Sequence, residues 1–159
     1  AEDVDAIIRD NLLFELAIED TVPRIFIGHG RSDDWRRVSD HISQIGLRVV
    51  EYESISPIGK SVSGRLQEML SVSTFAITVM SPEDQIADGA LRARQNVIHE
   101  VGLFQGKLGF ERVVVLRHNN CEQFSNLAGI NEIAYSPDNW EEALGKLSSV
   151  LKRERIVEQ

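Results

Sequence analysis

Residues 74–80, with the sequence TFAITVM, form the stretch that decides the fold. Apart from two threonines the run is apolar throughout, and no polar residue alternates along it as it would in a strand with one face in water. Such continuously apolar runs are typical of parallel strands that are buried on both faces. The stretch therefore predicts a central strand of an α/β sheet that helices cover on both sides.

Strand and helix patterns alternate on both sides of this run. Further strands are expected at 24–28, 47–52, 112–116 and, more weakly, 132–135. Amphipathic helices are expected at 33–45, 62–70, 92–109 and 138–153. Strict alternation of this kind predicts a five-stranded parallel sheet with right-handed crossovers and a flavodoxin-like strand order.

Length and composition set the class of protein. With 159 residues and 42% apolar content, the chain has the size of one ordinary domain. We expect that domain at 23–159, with 1–22 as a helix or linker from an upstream domain. No apolar run approaches the roughly 20 residues of a membrane span, and no signal peptide is evident, so we expect a cytoplasmic protein.

Charge and cysteine content narrow the partners. The single cysteine, Cys121, excludes an internal disulfide, and the four histidines show no paired ligand spacing, so we expect no metal site. A formal net charge of −8 would repel a phosphate backbone over most of the surface. We therefore expect no nucleic acid as a partner, and the lack of a membrane-spanning run predicts no membrane partner.

The predicted topology places a ligand crevice between two loops. In open parallel sheets, ligands bind at the carboxyl ends of the strands where the strand order reverses. With a flavodoxin-like order, the crevice lies between the loop at 28–34 and the loop at 81–94. Ser81 and Arg94 bound the second loop and are candidate binding residues.

The first loop carries three more candidates, Gly28, His29 and Arg31. A glycine-lined turn allows backbone amides to approach a diphosphate, and Arg31 adds positive charge. The pattern lacks the third glycine of a dinucleotide-binding fingerprint, so a simple tight turn remains an alternative for Gly28 and Gly30. His29 is better explained as a hydrogen-bonded loop residue than as an acid–base catalyst.

Residues 92–109, with the sequence RARQNVIHEVGLFQGKLG, contain one acid inside an amphipathic helical run. At 100° per residue, Glu100 falls on the shoulder of the apolar stripe, one turn after Asn96. This position lets a carboxylate face a partly apolar pocket. The alternative is a helix acid that interacts with the helix dipole and pairs with Lys107 or Arg94.

This helix, together with RIFIGHGRSDD at 24–34 and SPEDQ at 81–85, closely resembles the bacterial TIR-like predicted nucleotide-binding family. That family is a branch of the Toll/interleukin-1 receptor domains, and the resemblance covers residues 24 to about 153. In catalytic TIR domains the helix after the third strand carries the glutamate that cleaves NAD⁺ at its nicotinamide bond. The resemblance implies that Glu100 is this residue, with NAD⁺ as substrate and no separate cofactor.

Two other positions take their roles from the same resemblance. Asn96 stands where several relatives carry tryptophan, so it would bind the ribose or the carboxamide rather than stack on nicotinamide. The aromatic partner then falls to Tyr52 or Trp35, unless these belong to the core. The loop after the second strand takes part in assembly and substrate access in TIR domains, which makes Tyr52 and Lys60 candidate residues there.

The resemblance implies a function and leaves two others open. We expect an NAD⁺ glycohydrolase that acts in bacterial antiviral defence, is activated by homo-oligomer or filament formation, and is linked to a cyclic-nucleotide-sensing domain. One alternative is a non-catalytic TIR module that only recruits other TIR domains. Another is an enzyme like nucleoside deoxyribosyltransferases, which would cleave nucleosides and leave NAD⁺ intact.

Overall fold

The structure, a computed structural model, describes residues 7–9, 12, 21–50, 62–82, 87–121 and 131–157. Within these ranges, only the backbone is described for 62–63 and 87–96. None of the helices in the described residues has the length and apolar character that crossing a membrane requires.

From residue 24 onward, the described residues form five strands that alternate with four helices. The strands are Arg24–His29 (β1), Arg48–Val50 (β2), Phe75–Met80 (β3), Val113–His118 (β4) and Asn131–Tyr135 (β5). The helices are Asp34–Gln44 (α1), Val62–Val72 (α2), Ala87–Leu108 (α3) and Trp140–Arg153 (α4), with a short 3-10 turn at Phe110–Arg112. The strands predicted from apolar runs are all present, with boundaries that differ by one to a few residues.

The strands form one parallel sheet in the order β2-β1-β3-β4-β5, which confirms the predicted α/β class and flavodoxin-like order. At its centre, β3 pairs with β1 on one side and β4 on the other, and every residue of β3 is buried. The run at 74–80 is apolar throughout because helices cover both faces of the sheet, as the sequence predicted.

The core consists of two layers, one on each face of the sheet. Ile25 and Ile27 of β1 pack with α1 and α4, whereas Phe26 packs with α2 and α3. This division follows from the alternation of side chains along a strand. It also places Gly28, two residues after Phe26, on the α3 face.

One predicted boundary is wrong in a way that affects the candidate site. The loop after β3 was expected to continue to Arg94, but α3 already begins at Ala87. The segment from 87 to 94 contains alanine, leucine and arginine, and these residue types have high helix propensity. Arg94 is therefore part of the helix backbone rather than the loop.

Candidate active site

The crevice lies where the sheet topology predicts it. From β1 the chain crosses to β2 at the edge, and it then returns to form β3 on the other side of β1. The carboxyl ends of β1 and β3 are neighbours, with Gly28 beside Thr78 and His29 beside Val79. The strand order thus reverses between β1 and β3, which is the position at which open α/β sheets bind ligands.

Helix α3 carries Glu100 to this edge of the sheet. The ring of Phe104 stacks on Phe26 of β1 with centroids 4.3 Å apart and an angle of 16° between the planes. Because α3 runs antiparallel to β1, four residues back along the helix from Phe104 (about 6 Å) and two residues forward along the strand from Phe26 (about 6.6 Å) lead in the same direction. Glu100 is therefore level with Gly28, near the carboxyl end of β1.

Gly28 makes room for the Glu100 carboxylate. A Cβ atom at Gly28 would lie 3.1 Å from Oε2 of Glu100 and 3.0 Å from Cε1 of Phe26, both closer than ordinary van der Waals contact. The turn predicted at Gly28 is not present, whereas its predicted contact with a diphosphate stays a prediction. Gly28 is a regular residue of β1, because the strand continues through His29.

The Glu100 carboxylate is half-buried and has no hydrogen-bond or ion-pair partner within the part of the chain that the structure describes. No pair with Lys107 forms there, whereas the side chain of Arg94, the other partner of the helix-acid alternative, lies outside the described residues, so that alternative stays open. Burial raises the pKa of the Glu100 carboxyl above its ordinary value of 4.5, and the positive charges of His99 and His29 partly offset this. A partly desolvated carboxylate with a raised pKa is a common feature of functional sites.

His29 is the last residue of β1, and its side chain lies on the face of the sheet opposite to that of Gly28. Its ring stacks on the indole of Trp35 with centroids 4.2 Å apart and an angle of 7°, and Nδ1–H donates to the carbonyl of Gly30 at 2.9 Å. The second contact requires a proton on Nδ1 and leaves Nε2 directed elsewhere. Trp35 is buried in the core and already stacks on this ring, so it is not a free platform for nicotinamide.

The other candidates lie in different surroundings. Arg31 is exposed in the loop after β1, whereas Ser81, directly after β3, is buried, and both interact with other groups of the chain. The backbones of Arg94 and Asn96 belong to α3, but their side chains lie outside the described residues. Tyr52 and Lys60 lie outside them altogether, so their assignments stay predictions.

Tyr135 is a residue of this region that the sequence analysis missed. Its hydroxyl donates to Oδ2 of Asp34 at 2.8 Å and lies 3.4 Å from the carbonyl oxygen of Met80. It therefore connects the start of α1 with the end of β3, which flank the crevice. A single tyrosine in a weakly predicted strand does not indicate such a contact. A glycine inside a strand, such as Gly28, does indicate that another group approaches closely.

A separate open groove of about 410 Å³ lies on the other face of the sheet, where α1 meets the start of α4. Its lining comprises Arg37, Pro137, Asp138, Asn139, Trp140, Glu141 and Glu142. Three carboxylates against one guanidinium disfavour a diphosphate, so this groove is a poor candidate for a dinucleotide. In the described ranges, no three His, Cys, Asp or Glu side chains come together as a metal site requires.

Solved structures with a similar arrangement include a receiver domain of a response regulator from Bacillus halodurans, with a TM-score of 0.46 and 16% identity over 82% of this chain and 97% of that one. A diflavin flavoprotein from Nostoc sp. has a TM-score of 0.42 and 16% identity over 82% of this chain and 89% of that one.

Sequence relatives are more informative. The protein YuaY of Escherichia coli K12 is 37% identical over 113 residues, which cover 67% of this chain and 38% of that protein. The Pycsar effector protein PaPycTIR of Pseudomonas aeruginosa is 36% identical over 75 residues, which cover 44% of this chain and 24% of that protein. The chain thus spans well under half the length of both relatives.

The sequence model of one family, described as "CAP12/Pycsar effector protein, TIR domain", matches residues 24–137. The match runs from the first residue of β1 to the loop after β5, and it includes both crevice loops and Glu100. The chain therefore belongs to the TIR-domain family of CAP12/Pycsar effectors, a family of bacterial antiphage effectors.

Proposed function

We propose that this domain cleaves NAD⁺ at the bond between nicotinamide and ribose, with Glu100 as the catalytic carboxylate and no further cofactor. The observation that carries the proposal is the half-buried Glu100 carboxylate at the β1–β3 switch point, which has no partner among the described residues. Membership of a TIR effector family supports the same assignment.

The chemistry needs little more than one carboxylate. Nicotinamide leaves from a cationic nitrogen, so the bond to ribose C1′ can break without prior protonation, and its electron pair neutralises the pyridinium ring. Positive charge then develops on the ribose, and the Glu100 carboxylate stabilises it in a partly dry site where electrostatic interactions are strong. By analogy with glycosidases, the same carboxylate also holds the ribose hydroxyls.

The products follow from the group that attacks C1′. When water attacks, its oxygen bonds to C1′ and one proton is released, which gives ADP-ribose, nicotinamide and H⁺. When an adenine nitrogen attacks instead, the product is cyclic. Arg31 and the backbone amides after β1 are the groups proposed to hold the diphosphate, and Nε2 of His29 is available to a ribose hydroxyl.

Release of free nicotinamide from NAD⁺ tests this proposal. Glu100→Gln keeps the size of the side chain and removes its charge, so turnover should fall by about 10²–10³-fold or more. Glu111→Gln is a matched control, because Glu111 is an exposed acid after α3 and should leave turnover unchanged. Equal turnover by the wild type and Glu100→Gln would contradict the assignment, and no release under any condition would favour the non-catalytic assembly module.

We also propose that the whole protein is an antiviral effector that a cyclic nucleotide activates through a further domain. The relative named as a Pycsar effector protein motivates this, and the chain covers only 24% of that relative. Expression of the full-length protein with its cognate cyclase should reduce phage plaques, and Glu100→Gln should abolish the protection. Full protection by that variant would separate defence from NAD⁺ cleavage.

Activation by assembly is the remaining part of the proposal. The segment at 53–60, which lies outside the described residues, contains Pro57, Gly59 and few apolar residues, and it is proposed to contact a neighbouring copy. Head-to-tail contacts of this kind do not close and generate filaments. Specific activity should therefore rise with protein concentration, and Lys60→Glu should weaken the rise. A flat dilution profile with an active Lys60→Glu variant would contradict it.

A further inference from the structure

We infer that Gly28 is a positioning residue for the catalytic carboxylate, because its missing side chain admits Glu100 to the carboxyl end of β1. This inference rests on the proposed NAD⁺-cleaving function and adds to it a residue that does not itself touch the substrate. The binding role expected of Gly28 from the sequence stays a prediction beside it.

The backbone at Gly28 gives no other reason for glycine. Among the described residues, the glycines with positive φ are Gly46 and Gly109, so Gly28 has a conformation open to any residue. Its backbone pairs in register with Thr78 of β3, without a bulge. Glycine inside a strand is destabilising relative to alanine, and it is typical of sites where another group approaches closely. The group that approaches here is the Glu100 carboxylate, 3.1 Å from the position of the absent Cβ.

The surroundings of Gly28 decide which neighbour would move if a methyl group were added. Phe26 would lie 3.0 Å from the new Cβ, but its ring is buried and stacked on Phe104, which is itself buried. Close-packed rings of this kind have no free space into which to shift. The Glu100 carboxylate is the far end of a flexible side chain, so it would be displaced away from the strand.

A double-mutant cycle between Gly28→Ala and Glu100→Asp tests this geometry at high protein concentration. Gly28→Ala should lower kcat about tenfold with little change in KM, because small displacements of a catalytic group cost turnover. Glu100→Asp alone should lower kcat about 100-fold. Since aspartate is one methylene shorter, it should lose much less than 100-fold in the Gly28→Ala background, which is the non-additivity expected of groups in contact.

Gly106→Ala is the matched control, because it makes the same substitution on α3 at an exposed glycine whose added Cβ would meet nothing within 4 Å. It should leave kcat unchanged and show no coupling to Glu100→Asp. Melting temperatures of all variants report whether the fold is retained. Strictly multiplicative losses in the cycle, or a wild-type kcat in Gly28→Ala, would overturn the inference.

A second measurement does not depend on turnover. The NMR resonance of the Glu100 carboxyl carbon should move in Gly28→Ala and remain in place in Gly106→Ala, whether or not the protein cleaves NAD⁺. An unmoved resonance in Gly28→Ala would overturn the inference. Absence of nicotinamide release from the wild type, with a moved resonance, would instead refute the proposed function and leave the steric role of Gly28 intact.

Discussion

Two carboxylates of this domain, Glu132 in β5 and Glu100 in α3, are both partly buried, but among the described residues only Glu132 has an ion-pair partner. Oε1 of Glu132 accepts a hydrogen bond from Nε of Arg117 at 2.9 Å. Nη1 of the same arginine donates to the carbonyl of Cys121 at 2.6 Å and to that of His118 at 3.2 Å. Glu100 has no such partner among the described residues, and burial raises the pKa of its carboxyl.

The difference between them distinguishes a carboxylate that stabilises the fold from one that is available to a ligand. Moving a charge out of water is unfavourable unless a partner compensates it, and Arg117 compensates Glu132 while fixing the end of β4. For Glu100, no partner among the described residues offsets the unfavourable term. Such a group is expected where a ligand will later supply the missing interactions, which fits the position of Glu100 at the switch point.

The largest effect on stability is expected at the ion pair between Arg117 and Glu132. Arg117→Met removes the guanidinium and leaves the Glu132 carboxylate uncompensated, so the free energy of unfolding should fall by about 3–5 kcal/mol. Urea denaturation measures this change. Lys146→Met, which breaks the exposed pair with Glu142 on α4, is the control and should have a far smaller effect. Equal losses in both variants would contradict the distinction between buried and exposed pairs.

A smaller effect is expected at the hydroxyl that connects the two sides of the crevice. Tyr135→Phe keeps the ring stacked against Trp140 but removes the donor to Asp34, so the domain should lose about 1 kcal/mol. Thermal denaturation reports the loss, and the KM for NAD⁺ should rise because the loop after β1 is less firmly held. An unchanged KM with the expected loss of stability would restrict Tyr135 to a structural role.

The smallest effect on stability, and one of opposite sign, is expected at Glu100. Its folded-state pKa is raised, so between 4.5 and that higher value the folded domain binds more protons than the unfolded chain, and stability falls as pH rises. Glu100→Gln lacks this dependence. It should therefore be slightly more stable than the wild type at neutral pH, and the advantage should disappear below 4.5. A less stable variant at neutral pH would indicate a hidden partner of Glu100.

The sequence predicted the sheet well because the apolar runs of β1, β3 and β4 report burial on both faces directly. It also predicted the position of Glu100 on the shoulder of the apolar face of α3, where the side chain is half-buried, since helical periodicity fixes a residue relative to its own apolar stripe. It failed for contacts that depend on distant segments. Tyr135 and Asp34 are 101 residues apart, and the fit of Glu100 over Gly28 depends on the stack between Phe26 and Phe104. No local pattern reports how a helix is placed along a strand.

The start of α3 was missed for a different reason. Residues 81–94 contain Pro82, Gly89 and several charges, which favoured a long loop, yet the helix begins at Ala87. The helix propensity of its alanine, leucine and arginine residues outweighs the single glycine. Arg94 was assigned to the crevice loop on the mistaken boundary, whereas the assignment of Glu100 did not depend on it.

The central claim is that an uncompensated Glu100 carboxylate performs the chemistry, and the pH dependence of nicotinamide release tests it most directly. We predict that kcat/KM for NAD⁺ falls on the acidic side with a midpoint above 4.5, because Glu100 must be ionised and burial raises the pKa of its carboxyl. The same midpoint should appear when the Glu100 carboxyl carbon is titrated by NMR. An acidic limb at or below 4.5, or one that does not coincide with the titration of Glu100, would contradict the account.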